Sequence, residues 1–237
     1  ALALASMNAG VAFTVDAEEV DRLEISLELF DQLLCAPALD GWGGLGLAVQ
    51  SYQKRGLDVL RWLGRRADET GRMINVRLVK GAYWDAEIKR GQERGLPGYP
   101  LYTRKPNTDV SYLACARYAF EQGKGVLYPQ FATHNAQTLA AIHALADPAR
   151  WQPGQYEFQC LHGMGEPLYE QVVGPVAAGK LGRPCRIYAP VGGHEDLLAY
   201  LVRRLLENGA NSSFVNRIQD ASQPVEARQR RMLRLAP

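Results

Sequence analysis

Strand-like and helix-like segments alternate along almost the whole chain, and this alternation restricts the fold more than any other feature of the sequence. Six segments rich in apolar and β-branched residues predict strands, at 11–16, 45–50, 75–80, 125–133, 156–161 and 186–190. Amphipathic segments predict helices at 21–34, 56–67, 84–94, 108–122, 138–145, 167–173 and 195–208. Because parallel strands need crossover connections, which helices usually supply, we expect a parallel β/α fold.

The length of the chain favours a barrel. A closed barrel of eight β/α units takes about 250 residues, and this chain has 237. Since only six strands are visible, we expect a (β/α)8 TIM-type barrel over residues 1–218 whose first strand would lie before residue 1. Residues 219–237 contain four arginines and are expected to form a basic tail or linker.

Composition and charge exclude several classes of protein. Hydrophobic residues make up 47% of the chain and the net charge is +2, so we expect a sizeable core, and we expect neither disorder nor nucleic-acid binding. No apolar run is long enough for a membrane span. The four cysteines form no Cys-x-x-Cys pair, and no basic signal peptide leads the chain, which predicts a cytoplasmic protein. We expect no metal site, because the His–Glu pairs are isolated.

Polar residues fall at the ends of the predicted strands. In a β/α barrel, catalytic groups lie at the carboxyl ends of the strands, where the loops gather. The polar residues at or near these ends are Asp16, Gln50, Lys80, Thr133, His134 and Tyr188. They could simply mark strands meeting water, but their recurrence on five strands favours a site.

Arg77 is the most unusual of the strand residues. Side chains alternate across a strand, so Arg77 shares a face with Val79 and Gly81. A buried arginine needs a partner for its charge. A carboxylate such as Asp16 could serve, and an electron-rich cofactor ring or a phosphate could serve equally well.

The last predicted helix carries a polar stripe beside its apolar band. Tyr200, Arg203, Arg204 and Glu207 follow at helical spacing and share one face. This face could be solvated, with an Arg203–Glu207 pair that contributes little. Alternatively, the two guanidinium groups could bind a planar anion such as a carboxylate.

Four longer motifs carry a family resemblance. They lie at 13–19, 76–84, 129–135 and 198–208, and together they closely resemble the proline dehydrogenase domain of the bacterial bifunctional proline-utilisation flavoproteins. The resemblance implies a distorted β/α barrel that binds FAD without a covalent bond. It also implies oxidation of L-proline to Δ1-pyrroline-5-carboxylate by hydride transfer to flavin N5, with electrons passed to quinone. A location in the cytoplasm or at the periphery of the inner membrane follows.

The resemblance also assigns roles to individual residues. Arg203 and Arg204 would grip the proline carboxylate, and Tyr188 and Tyr200 would form walls of the substrate pocket. Leu78 would be an apolar contact of the substrate, and Asp16 would hold the arrangement in place. The implied FAD-binding set is Gln50, Arg77, Val79, Lys80, Gly81, Ala82, Tyr83, Trp84, Thr103, Lys105, Thr133, His134, Leu161 and Glu207. A further family lysine, on the first strand, would lie before residue 1.

Two other functions stay open at this point. The chain could be a Schiff-base lyase or aldolase on a β/α barrel, with Lys80 as the nucleophile at a strand end. It could also be a non-catalytic barrel fragment that binds FAD or a carboxylate ligand without turnover.

Overall fold

The computed structural model describes residues 1–195, 197–198 and 200–202. The chain divides into two units, residues 1–188 and residues 189–237. The strands of the first unit are β1 (Phe13–Val15), β2 (Leu45–Gln50), β3 (Ile74–Val79), β4 (Leu127–Ala132), β5 (Glu157–Leu161) and β6 (Cys185–Tyr188). Its helices are α1 (Leu2–Asn8), α2 (Leu23–Leu34), α3 (Gly56–Thr70), α4 (Trp84–Glu93), α5 (Lys105–Glu121), α6 (Ala136–Leu145) and α7 (Glu166–Tyr169).

The six strands form one sheet in which the spatial order follows the chain order from β1 to β6. Every neighbouring pair is parallel, and at least one helix lies between each strand and the next. The parallel β/α prediction is confirmed. The sheet curls as one half of a β/α barrel, and the described residues do not confirm the closed eight-stranded barrel.

The observed elements differ from the predicted ones mainly at their ends. The predicted strand at 186–190 is β6 (Cys185–Tyr188), and the predicted helix at 108–122 begins earlier, as α5 (Lys105–Glu121). Sequence analysis missed α1, a short helix of mostly apolar residues at the start of the chain. In the second unit, residues 194–195, 197–198 and 200–202 are helical, in agreement with the last predicted helix as far as the described residues extend. The predicted domain boundary near residue 218 lies outside them.

One face of the sheet packs against the helices and forms the hydrophobic core. Leu47, Val76 and Phe131 point to this face from three adjacent strands, and all three are buried. A cluster of aromatic rings extends the core, with neighbouring ring centroids 5.2–6.5 Å apart, and comprises Phe120, Phe131, Tyr156, Phe158 and Tyr169. Tyr112 on α5 donates a hydrogen bond to the Leu78 carbonyl at 3.1 Å. Aromatic packing and this bond attach α5 to the sheet.

Side chains alternate along each strand, so the residues between the core positions lie on the opposite face of the sheet, and several of them are polar. Ala48, Arg77, Gln130 and Glu157 are register partners, so they form one row across β2, β3, β4 and β5. We call this side the polar face. No described helix is long and apolar enough to cross a membrane.

Candidate active site

Arg77 lies near the centre of the polar face, and its side chain is about one quarter exposed, at 23%. Its Nε donates a hydrogen bond to Gln159 Oε1 at 2.9 Å. Its Nη1 lies 3.7 Å from Asp16 Oδ1, and its guanidinium carbon lies 5.4 Å from the ring centroid of Tyr188. The structure therefore brings together three predicted site residues from β3, β6 and the end of β1. The expected partner Asp16 is in ion-pair range, at a side chain that is 72% exposed.

A chain of hydrogen bonds continues from Arg77 across the polar face. Gln159 Nε2 donates to Glu157 Oε1 at 2.8 Å. Arg186 donates to both oxygens of Glu157, from Nε at 2.8 Å and from Nη2 at 3.0 Å. The pKa of Arg186 is raised, because Glu157 accepts its hydrogen bonds and stabilises its charge. Burial and the same carboxylate raise the pKa of Tyr128 to about 12.

Sequence analysis missed Glu157 and Gln159, although the sequence carries a signal for them. Both belong to β5, which is buried along its whole length. Polar residues at alternate positions of a buried strand must share one face and need partners there. The same reasoning that selected Arg77 therefore applies to β5.

A second cluster lies at the carboxyl end of β3. Lys80 Nζ is 2.6 Å from Asp109 Oδ1 and 3.1 Å from Thr138 Oγ1. Lys105 Nζ is 2.9 Å from the other oxygen of Asp109. Burial opposes ionisation of Asp109, but the charges and hydrogen bonds of the two lysines outweigh it and lower its pKa. Two ammonium groups thus contact the two oxygens of one carboxylate.

The ends of β4 and β5 are joined through His134. The backbone N–H of Leu161 donates to His134 Nε2 at 3.0 Å, so this nitrogen carries no proton in the observed arrangement. Tyr169 donates to the Thr133 carbonyl at 2.6 Å. Three predicted cofactor-binding residues, Thr133, His134 and Leu161, thus lie next to one another.

The ends of β2 and β3 meet at a close backbone approach. Gly81 has φ +142°, and a Cβ atom added there would lie 2.5 Å from the ring of Tyr52. Only glycine fits this position, because other residues rarely adopt that φ and the ring leaves no space. Gln50 donates to the Glu18 carbonyl at 2.7 Å, and the Tyr83 hydroxyl donates to the Glu18 carboxylate at 2.6 Å. The residues that follow β1 are thereby tied to β2 and to the loop after β3.

Several predicted site residues lie apart from these clusters. Leu78 is buried in the core on the face opposite Arg77, so its side chain does not face the polar side. Val79 does lie on the same face of β3 as Arg77; it is half-buried at the end of the strand, and its carbonyl accepts a bond from Ser51. Ala82 and Thr103 are exposed, as is Trp84, which donates to the Tyr102 carbonyl at 3.0 Å.

The predicted carboxylate clamp cannot be located in the same way. Arg203, Arg204 and Glu207 lie outside the described residues. Tyr200 is described and half-buried, and it belongs to the second unit.

Comparison with known proteins identifies several relatives of the chain. It is 62% identical to the bifunctional protein PutA of Salmonella typhimurium over 225 residues, which cover 95% of this chain and 17% of that protein. It is 27% identical over 209 residues to proline dehydrogenase 1 of Bacillus subtilis, covering 86% of this chain and 57% of the relative. A crystal structure of the D779Y mutant of Bradyrhizobium japonicum proline utilization A superposes with a TM-score of 0.84 at 53% identity, over 95% of this chain and 22% of that one.

The chain therefore spans about a sixth of the length of the PutA proteins that it matches at high identity, at 17% of the first. The fold agrees with theirs over nearly all of the sequence. The family description "Proline dehydrogenase" matches residues 1–217, which include every strand described above. From its sequence and its fold, the chain belongs to the proline dehydrogenase family.

Proposed function

We propose that this chain is a proline dehydrogenase domain, which oxidises L-proline to Δ1-pyrroline-5-carboxylate. The observation that supports it most directly is the Asp16–Arg77–Tyr188 cluster, with Arg77 Nη1 3.7 Å from Asp16 and its guanidinium carbon 5.4 Å from the Tyr188 ring. The cluster combines a fixed cation with an aromatic wall near the carboxyl ends of the strands, where β/α proteins place their catalytic groups. Residues 1–218 would form the catalytic domain, with residues 219–237 as a basic tail or linker.

Family membership implies a flavin cofactor, and we propose that it is FAD. The residues present fit such a group on two observations. Gln130, the register partner of Arg77, has a buried side-chain oxygen without a hydrogen-bond partner among the described residues, and it could accept a ligand N–H. Lys80 and Lys105 also place two ammonium groups side by side on Asp109, and ammonium groups bind phosphate through charge-assisted hydrogen bonds.

The residues proposed to hold FAD are those that the sequence resemblance selects. They are Gln50, Arg77, Val79, Lys80, Gly81, Ala82, Tyr83, Trp84, Thr103, Lys105, Thr133, His134, Leu161 and Glu207. When bound, the flavin supplies hydride acceptance, a reaction that protein side chains do not perform. Arg77 contributes a positive charge where negative charge develops during the reaction.

The substrate would be held by the protein's own charges and rings. Arg203 and Arg204 would bind the proline carboxylate with charge-assisted hydrogen bonds, which fixes the orientation of the ring that reacts. Tyr188 and Tyr200 would flank the substrate, and Asp16, at the end of β1, would hold the arrangement of the site in place. Leu78, from the opposite face of β3, would support the strand by packing. Quinone would be the electron acceptor, reached by a peripheral contact with the membrane.

The Schiff-base alternative is disfavoured by the surroundings of Lys80. A nucleophilic lysine must lose its proton. The 2.6 Å contact with Asp109 favours the charged ammonium form instead.

Absorbance spectroscopy tests the proposed function directly. The protein is purified, supplied with FAD, freed of excess cofactor and titrated with proline without oxygen. We expect a yellow protein whose flavin absorbance near the visible maximum is lost with L-proline and kept with D-proline. A folded protein that takes up no FAD, or a bound flavin that L-proline leaves oxidised, would refute the proposal.

A substitution in the predicted clamp separates substrate binding from cofactor binding. Arg204→Met should raise KM for proline by roughly 10- to 100-fold, because a charge-assisted hydrogen bond to a carboxylate is lost. The bound flavin content should stay the same. An unchanged KM would remove Arg204 from the substrate site.

A further inference from the structure

Arg77 is held on its Nε side by an amide. Gln159 is 1% exposed, and its Oε1 accepts the Arg77 Nε–H at 2.9 Å. A guanidinium group is planar, so a bond at Nε restricts the direction in which the two terminal nitrogens point. Gln159 therefore sets the orientation of Arg77 on the polar face.

The orientation of the Gln159 amide is itself fixed by a hydrogen bond to Glu157. Its NH₂ group donates to Glu157 Oε1 at 2.8 Å. Turning the amide over would place its NH₂ group against the N–H of Arg77 and its oxygen against the Glu157 carboxylate. Both contacts would be repulsive, so Glu157 selects the amide orientation that accepts from Arg77.

The negative charge of Glu157 is neutralised by Arg186 and not by Arg77. The side chain of Glu157 is 6% exposed, and Arg186 contacts both of its oxygens at 2.8 and 3.0 Å. Among the residues that the structure describes, Asp16 is the carboxylate within 4.0 Å of the Arg77 guanidinium, at 3.7 Å and 72% exposed. Solvent screens such an exposed pair strongly.

We propose that Gln159, with Glu157 behind it, positions Arg77 and keeps its positive charge available to the reacting groups. The inference rests on the proposed function, since it assigns Arg77 to the flavin and substrate site. A neutral amide directs the guanidinium without neutralising it, whereas a carboxylate at position 159 would do both. Gln159 and Glu157 are positioning residues, because each acts through Arg77.

The first test compares two substitutions of Gln159 in the FAD-loaded protein, one that removes its hydrogen bonds and one that adds a negative charge. Gln159→Met keeps the length of the side chain and removes both hydrogen bonds. We expect kcat for L-proline to fall roughly 10- to 100-fold, because misplacing a group in the active site costs rates of that size. The flavin reduction potential should become more negative. Gln159→Glu should lower the potential further, because the new carboxylate neutralises Arg77.

A double variant tests whether Gln159 acts through Arg77. Once Arg77→Met has removed the guanidinium, adding Gln159→Met should change kcat by less than threefold. The flavin reduction potential should not shift measurably. Gln122→Met is the matched control, because it makes the same substitution at an exposed residue. Gln122 follows the last turn of α5, on the other side of the sheet, so this variant should behave as the unchanged protein. Losses that add fully in the double variant would overturn the proposal.

A second measurement needs neither flavin nor turnover. Hydrogen exchange at the Arg77 Nε–H, followed by NMR and assigned with Arg77→Lys, should be slow in the unchanged protein and in Gln122→Met. It should become at least tenfold faster in Gln159→Met. Should that variant not fold, Glu157→Gln provides the same test, because the amide at 159 is then no longer forced to face Arg77.

The outcomes distinguish this inference from the proposed function. Unchanged exchange and an unchanged reduction potential in Gln159→Met would overturn the positioning role even if L-proline reduces the flavin. Failure of the unchanged protein to be reduced by L-proline would refute the proposed function. In that case, fast exchange in Gln159→Met would still establish that Gln159 orients Arg77.

Discussion

Substitution of Gly81 by alanine should destabilise the protein strongly, because the added methyl group meets both an unfavourable backbone conformation and a buried ring. A non-glycine residue forced to φ near the +142° of Gly81 costs about 1–3 kcal/mol. The new Cβ atom would also lie 2.5 Å from the Tyr52 ring, which is 2% exposed and enclosed. Overpacking of this kind costs about 1–3 kcal/mol. Together the two effects predict a loss of about 2–6 kcal/mol.

Thermal unfolding followed by circular dichroism measures this loss. For a domain of this size each kcal/mol lowers Tm by about 2–4 °C, so Gly81→Ala should lower Tm by roughly 5–20 °C.

Two other glycines serve as controls. Gly71, which ends α3 with φ +64°, has no atom within 4 Å of an added Cβ, and Gly71→Ala should cost about 1–2 kcal/mol. Gly98 has neither a positive φ nor a close neighbour, so Gly98→Ala should change stability by less than about 0.5 kcal/mol. If Gly81→Ala were as stable as Gly71→Ala, the contact with Tyr52 would not restrict this position.

Three further predictions concern charge, thiols and a buried hydroxyl. Asp109→Asn should lower stability at pH 7 by about 1 kcal/mol. The pKa of Asp109 is lowered in the folded protein, so its stabilising charge is lost as pH falls below about 4. The difference in Tm between the unchanged protein and Asp109→Asn should therefore disappear at low pH, and a difference that persists at about pH 2 would contradict this. Burial raises the pKa of Cys115 to about 12 and raises that of Cys160, so a thiol reagent at pH 8 should modify exposed Cys35 first; equal rates would refute this. Tyr112→Phe should cost about 1 kcal/mol in urea unfolding through loss of its bond to β3, and an unchanged midpoint would argue against that bond.

The order of strands and helices in the first unit could be predicted from the sequence because two periodicities carry it. Buried parallel strands give short apolar runs, such as the one that became β2 (Leu45–Gln50), and the amphipathic helices between them repeat every 3.6 residues. The ends of the elements were predicted less well, since tertiary contacts decide where a strand stops pairing. Helix α1 has too short an amphipathic pattern to be recognised.

The candidate site was only partly predictable. The unusual strand arginine, Arg77, and its candidate partner Asp16 could be selected, because a charge in an apolar strand requires compensation. The hydrogen bond from Arg77 to Gln159 could not be predicted from the sequence, because it joins residues 82 positions apart and depends on the register of three strands. Alternation along β3 does place Leu78 opposite Arg77, and the structure agrees with this rule rather than with the role that the resemblance suggested.

Strand β5 separates two incompatible environments with five residues. Phe158 contacts the aromatic core on one side, while Glu157 and Gln159 form the hydrogen bonds of the polar face on the other. Deleting one residue within the strand would exchange the two sides, moving a carboxylate among aromatic rings and a phenyl ring beside arginines. Evolution can therefore vary the length of the loop at 147–155 much more freely than the length of β5. Insertions and deletions in natural relatives should stop at its boundaries.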